Sequence, residues 1–273
     1  MISEVDLKRE SDILEFTQKL FHSKNYKVST EDDGYIIVND SKNKRCIRFI
    51  IFGSEMDISN IDKCDEITGT SGIKKLLEIA AQFGVTSIQL VDASKIKKGK
   101  LEFPLYLMQI LVTGNSWYNK YGFISDIYKD ELKNNLDLLK LTVGECLELY
   151  SRKFRDYYTD HNRAKIINEI QKNVVFFDIN IQELSKIIIN DYVKNPTTDS
   201  DNGLIEWFYY FVLMCEHVIL YSADLNYNPI KKEEIEKNIV GSEIKGGRKF
   251  RKKSQNLRKK MYVRNTRRNN FIF

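Results

Sequence analysis

The chain has 273 residues, 42% of them hydrophobic and 12% aromatic, which is enough apolar surface to bury a sizeable core in one large domain or two small ones. Its formal net charge of +5 conceals an asymmetry: twelve of the 43 Lys and Arg lie between Lys245 and Phe273, where there is no Asp or Glu, leaving residues 1–244 at about −7. The composition therefore excludes a body that binds polyanions by bulk charge, and it predicts a mildly acidic folded part carrying a basic tail.

Residues 1–12 are polar and acidic, with neither the apolar core of a signal peptide nor the Arg-rich pattern of a transit peptide. Ile13, Leu14, Phe16, Leu20 and Phe21 then fall roughly on one face of a helix over 12–22. Two β-rich runs, 35–39 and 46–52, flank a polar turn and read as a hairpin. Residues 53–66 read as a polar segment. The small-residue turn Thr68-Gly69-Thr70-Ser71-Gly72 opens a helix marked by Ile73, Leu76, Leu77 and Ala80 and stopped at Gly84. A strand follows over 87–91. The run 101–112 contains Pro104 and reads as a strand followed by a helix, which periodicity alone does not decide, and Gly114 breaks it before Ser116.

From about Ile124 the pattern is helical: 132–139, 143–157, 164–175, 181–193 and 204–222, with a Pro196-containing loop over 195–203. The stretch 204–223 is apolar, but Glu206, Glu216 and His217 within it argue for a buried core helix and against a membrane span. The predicted fold class is α+β: a mixed-sheet domain over 1–125, a mostly α-helical domain over 126–240, and a flexible basic tail over 241–273.

Cys46, Cys64, Cys146 and Cys215 are scattered, with no C-x-x-C pair and no histidine at ligand spacing. The expectation is reduced thiols in an intracellular, reducing compartment (cytoplasm, nucleus or virion) and no metal. His22, His161 and His217 form no nucleophile–base pattern with Ser or Asp, which leaves hydrolytic chemistry without support. Glu216-His217 reads as a polar pair at a helix–helix contact.

A small-residue turn that feeds a helix offers unpaired backbone N–H groups at the positive end of the helix dipole, a geometry suited to phosphate. The same Thr, Ser and Gly also serve as a plain helix cap. Residues 66–90 resemble the coenzyme-binding motif of the GNAT superfamily of acyl-CoA-dependent N-acyltransferases. The matching positions are Glu66, Gly69, Ser71, Leu76-Leu77, Ala80-Ala81, Gly84 and Ile88 to Leu90. Trp117-Tyr118-Asn119-Lys120-Tyr121-Gly122-Phe123 is similar to the family's second signature, and together the two cover about residues 45–125.

The resemblance implies a GNAT-like sheet, acetyl-CoA as cofactor and direct acyl transfer to an amine. Gly69, Thr70, Ser71, Gly72 and Ile73 would hold the pyrophosphate, and Tyr118 would protonate the leaving thiolate. No general base is identified; Glu55, Asp57 and Asp62 are nearby in sequence. Trp117, Tyr121 and Phe123 read as core packing.

In the tail, Arg248, Lys249, Arg251, Lys252, Lys253, Arg258, Lys259, Lys260, Arg264, Arg267 and Arg268 point to nucleic acid as first partner, with Phe250 and Tyr262 available to stack on bases. A nuclear-import receptor, an anionic membrane surface and an acidic protein are the other partners of such a segment. The basic C-terminus and the Asn/Lys/Ile bias are similar to proteins of giant DNA viruses. Two functions follow. One is an N-acyltransferase tethered to a polyanion. The other is a catalytically silent GNAT-like or unrelated α+β binding protein that acts through the tail.

Overall fold

A computed structural model describes residues 4–22, 25–62, 64, 67–153, 161–193 and 202–228. Glu66 and every basic tail residue named above lie outside them. Contacts divide the chain into two units that interleave in sequence. The first comprises the described residues up to Ala93, Tyr118–Tyr128, and those from Tyr221 onward. The second comprises Ser94–Trp117 and Lys129–Leu220.

The predicted hairpin is part of a larger mixed sheet in the first unit. β1 (Tyr26–Thr30), β2 (Ile36–Asp40), β3 (Arg45–Phe52) and β4 (Glu55–Ile61) run as an antiparallel meander. β5 (Ser87–Val91) then pairs parallel with β4, and the chain returns much later with β8 (Phe123–Ile124) and β9 (Asp224–Tyr227). The order across the sheet is β1-β2-β3-β4-β5-β9-β8.

Side chains alternate across these strands, and the register puts Ile36, Phe49, Ile58, Leu90 and Leu225 in one buried row. The helices α1 (Glu4–Leu20) and α2 (Gly69–Gln82) belong to the same unit. Arg9 of α1 donates to the Phe83 carbonyl, a cation at the C-terminal end of α2, and Phe16 meets Phe83 edge-on at 5.7 Å.

The other row is polar. Arg48 bridges Glu31 and Asp33 and lies 3.4 Å from the centre of the Tyr35 ring. The Tyr35 hydroxyl donates to Asp57, and that hydrogen bond, with burial, pushes the phenol above its ordinary range. This mixed character explains why 53–66 reads as polar: β4 buries Met56 and Ile58 on one face and turns Asp57 to the other, with Ser59 at a bulge bonded to Arg48.

Cys46 on β3 and Cys64 in the β4–α2 connector form a disulfide with their Cα atoms 5.7 Å apart. This corrects the expectation of four reduced thiols in an intracellular, reducing compartment, since a persistent disulfide belongs to an oxidising setting. Their separation of 18 residues gave no sequence signal; the antiparallel β3–β4 pairing brings the two together.

The second unit holds the hairpin of β6 (Lys95–Lys98) and β7 (Leu101–Pro104) and the helices α3 (Leu105–Thr113), α4 (Tyr128–Leu138), α5 (Val143–Lys153), α6 (His161–Gln171), α7 (Ile181–Ile188) and α8 (Asn202–Glu216). Tyr128, the first residue of α4, counts with the first unit. The run 101–112 is thus a strand that ends at Pro104 and a helix that starts directly after it.

Apolar spacing drives these helices together. Ile181, Leu184, Ile187 and Ile188 form the buried face of α7, capped by the Asn180 side chain on the Glu183 amide. Trp207, Phe208 and Phe211 of α8 are buried with Phe103, Leu107, Tyr150 and Phe176, and the Trp207 indole donates to the Ile170 carbonyl. Asn135, 2% exposed, donates to the Leu220 carbonyl and accepts from its amide. The Glu216 carboxylate accepts from Tyr106 on α3. Cys146 and Cys215 are buried free thiols, and burial with the Cys146 hydrogen bond pushes Cys215 well above its ordinary range, as expected of an inert core thiol. Among the described residues, no helix is long and apolar enough to cross a membrane.

Candidate functional site

Among the described strands of this sheet, β4 and β5 are a parallel pair, and α2 crosses over between them. Ligand crevices in mixed α/β sheets form outside the C-terminal ends of such strands, where pairing stops. The paired residues run from Glu55↔Ser87 to Ile58↔Leu90. Beyond Ile58, β4 continues beside β3 alone through Ile61, while Asp92 after β5 donates its amide to the Ala223 carbonyl. The two parallel strands therefore part company at their C-terminal ends, and α2 starts at that end of the sheet.

The turn that opens α2 is closely organised. Thr68 Oγ1 accepts from the Ser71 amide at 3.1 Å, Ser71 Oγ accepts from the Thr68 amide at 2.9 Å, and the Gly72 amide donates to the Thr68 carbonyl at 2.9 Å. This is a reciprocal capping box, with Ser in place of the usual Glu or Gln.

Of the expected phosphate-binding set, Ser71 and Gly72 thus spend their amides inside the turn. Ile73 is fully buried, and its amide falls to the carbonyl four residues back by helix geometry. The amides at the first two helical positions, Gly69 and Thr70, remain as the donors that the cap does not use. The smallness of Gly72 serves packing: a Cβ there would come within 3.2 Å of Ile61 Cγ2 and 3.5 Å of Ile47 Cδ1. Gly72 lets α2 lie close on the sheet.

One tyrosine reaches the head of α2 from the 3-10 turn Asn119–Tyr121, and Tyr118 immediately precedes that turn. The Tyr121 hydroxyl is 2.7 Å from Thr70 Oγ1, so this ring reaches the head of α2. Sequence reasoning assigned it to packing; the signal for more was its three-residue spacing from Tyr118, which a 3-10 turn converts into neighbouring positions. Tyr118 is 5% exposed, and its ring meets Phe123 edge-on at 6.3 Å. Tyr118 and Tyr121 both belong to the first unit, as do Gly69 to Ile73.

The three carboxylates considered as bases occupy different ends of β4. Glu55 starts the strand and Asp57 is held by Tyr35 on the polar face, whereas Asp62 follows the last strand residue and is exposed, at the same end as the head of α2. A separate cavity of about 530 Å³ opens at the opposite end of the strands, lined by Ile13, Ile36, Ile50 and Phe52 with Arg9 and Asp33 at its polar part. Its mostly apolar lining gives it no part in holding a phosphate at the head of α2.

No family model, no curated protein and no solved structure matches this chain.

Proposed function

We propose that the first unit binds the pyrophosphate of an acyl-coenzyme A at the head of α2 and passes the acyl group to an amine, as the GNAT resemblance implies. The observation that carries this reading is the end of β4/β5 pairing at Ile58 and Leu90, beside the capped turn at Thr68. A thioester laid between the parting strands would meet backbone on both sides, with its phosphates at the positive end of α2. Gly69 and Thr70 supply the amides, and the Thr70 and Tyr121 hydroxyls supply adjustable donors. Transfer is direct from sulfur to nitrogen: the amine attacks the thioester carbon, a base takes the ammonium proton, and Tyr118 returns a proton to the departing thiolate. Asp62 is the carboxylate at the right end of β4 for the base.

One observation favours a silent binding module as the second reading. The capping box already satisfies the Ser71 amide, so the head of α2 offers fewer donors than an open phosphate loop. In that reading the segment 241–273, outside the described residues, holds nucleic acid and the folded units position it.

Titration of acetyl-CoA into the full chain and into a Thr70→Glu variant tests the first reading. Thr70 is exposed; the variant gives up the hydroxyl's bond to Tyr121 and sets a carboxylate where phosphate would sit. The expected result is binding by the unaltered chain and at least about tenfold weaker binding by the variant, on the order of 1.4 kcal/mol. Equal affinities would move the coenzyme away from α2, and the second reading would gain if truncation after Ile244 abolished salt-sensitive retention on DNA or RNA.

A further inference from the structure

The disulfide has a third neighbour. Among the described residues, Asp40, Cys46 and Cys64 form a group whose ligand atoms all lie within 4.8 Å of one another. All three are buried, at 3%, 0% and 5% exposure. Asp40 ends β2, Cys46 is the second residue of β3, and Cys64 lies in the connector between β4 and α2, so three successive segments converge at one end of the sheet.

The carboxylate is held in place rather than loosely packed. Asp40 Oδ1 accepts from the Lys42 and Lys44 amides, each at 2.9 Å, across the β2–β3 turn. The described residues beside it are bonded as well: the Cys64 amide donates to the Ile67 carbonyl, the Ile67 amide to the Tyr26 hydroxyl, and the Asp62 amide to the Cys46 carbonyl. Two backbone amides hold this buried carboxylate beside the S–S bond, and a cation there would further offset the cost of its desolvation.

The geometry points to a redox-gated metal site: the reduced form of this chain binds a thiophilic divalent cation, zinc, through Cys46 Sγ, Cys64 Sγ and an Asp40 carboxylate oxygen. Two sulfurs with one oxygen suit a borderline-soft ion, and three protein ligands leave a fourth tetrahedral position for water. Ligand atoms around tetrahedral zinc stand about 3.6–3.8 Å apart given Zn–S near 2.3 Å and Zn–O near 2.1 Å; the Asp40 oxygen already lies within 4.8 Å of both sulfurs, and the sulfurs, bonded to each other in the disulfide, would move apart on reduction to admit the ion. The backbone bonds to Asp40 play the orienting part that outer hydrogen bonds play around metal ligands.

A dithiol reductant gives two electrons and two protons to the Cys46–Cys64 bond and leaves as a cyclic disulfide. Zinc then forms two Zn–S bonds and releases the two thiol protons. In the reverse direction a disulfide oxidant takes two electrons from the thiolates, the S–S bond re-forms and the ion departs. Either state cross-links β3 to the connector that leads into α2. The proposal does not rest on the acyltransferase reading.

The test uses the full chain in both states: as the disulfide, and after dithiol reduction and anaerobic desalting. Each is titrated with zinc against a chromogenic chelator and then alkylated with iodoacetamide, with the modified cysteines located by peptide mass. The expected result is one zinc per chain in the reduced state and none in the oxidised state, with zinc slowing alkylation of Cys46 and Cys64 at least about tenfold. Asp40→Asn should weaken binding by about 10–100-fold while leaving disulfide formation intact. A reduced chain that takes up no zinc would overturn the proposal, as would protection confined to Cys146 and Cys215, or equal uptake by both redox states. Because the two states of the unaltered chain carry the decision, a variant that fails to fold cannot obscure it.

Discussion

The two units bury their interiors in opposite styles. The helical unit closes Phe208, Phe211, Trp207 and Tyr150 into an apolar core and spends its polar groups on caps and fixed pairs, such as Asn135 with Leu220. The sheet unit packs one face and leaves the other to Arg48, Tyr35 and Asp57, and it gathers the capped turn, a buried carboxylate and a disulfide at one end of its strands. Perturbations of the two units should therefore sort by what each one packs.

The largest effect belongs to the helical core. Phe208→Ala should cost about 3–5 kcal/mol, read from denaturant unfolding of the full chain, because the residue is fully buried against Phe103 and Phe211. A loss under about 1 kcal/mol would mean that this core is looser than its burial implies and would break the comparison.

The sheet unit should respond next at the α2 contact. Gly72→Val inserts carbon where Ile61 Cγ2 already stands 3.2 Å from an added Cβ, and about 1–3 kcal/mol of overpacking is expected. The same variant should leave the Ser71 amide in its cap, so a loss of coenzyme binding larger than the stability change would contradict the assignment of Gly72 to packing.

The smallest effect is at the head of α5, where Thr142 and Glu145 form a second capping box. The Thr142 amide, and then its hydroxyl, hold the Glu145 carboxyl below the usual glutamate range. A depressed carboxylate contributes stability above its unfolded pKa and loses it as pH falls through the folded value. Glu145→Gln should therefore unfold slightly sooner than the unaltered chain near neutral pH, and the gap should close in acid. A gap that persists unchanged at low pH would remove ionisation as its source.

Where one physical signal dominates, the sequence could be read. Thr68 to Gly84 carries a cap, a helical apolar repeat and a stop, and α2 with β5 lies where that pattern predicts. α7 is legible for the same reason. β4 was not, because a strand with one solvated face and a bulge at Ser59 shows only Met56, Ile58 and Ile61 as apolar markers. β1 and β9 have five and four residues and gain their stability from neighbours distant in sequence, which a local pattern does not contain. The disulfide and the Asp40 contact are tertiary facts of this kind. So is the Tyr121–Thr70 hydrogen bond, which joins residues 51 apart. The α+β class, with a mixed sheet in the N-terminal part and helices in the C-terminal part, is what the structure has.

The most direct test of the central claim is the thermal unfolding of the full chain with and without millimolar acetyl-CoA. A ligand that binds only the native state must stabilise it, by about 2.7 kcal/mol at a hundredfold excess over Kd. The account predicts a rise in the unfolding temperature of the sheet unit, abolished in Thr70→Glu. An unchanged transition at millimolar coenzyme would contradict it.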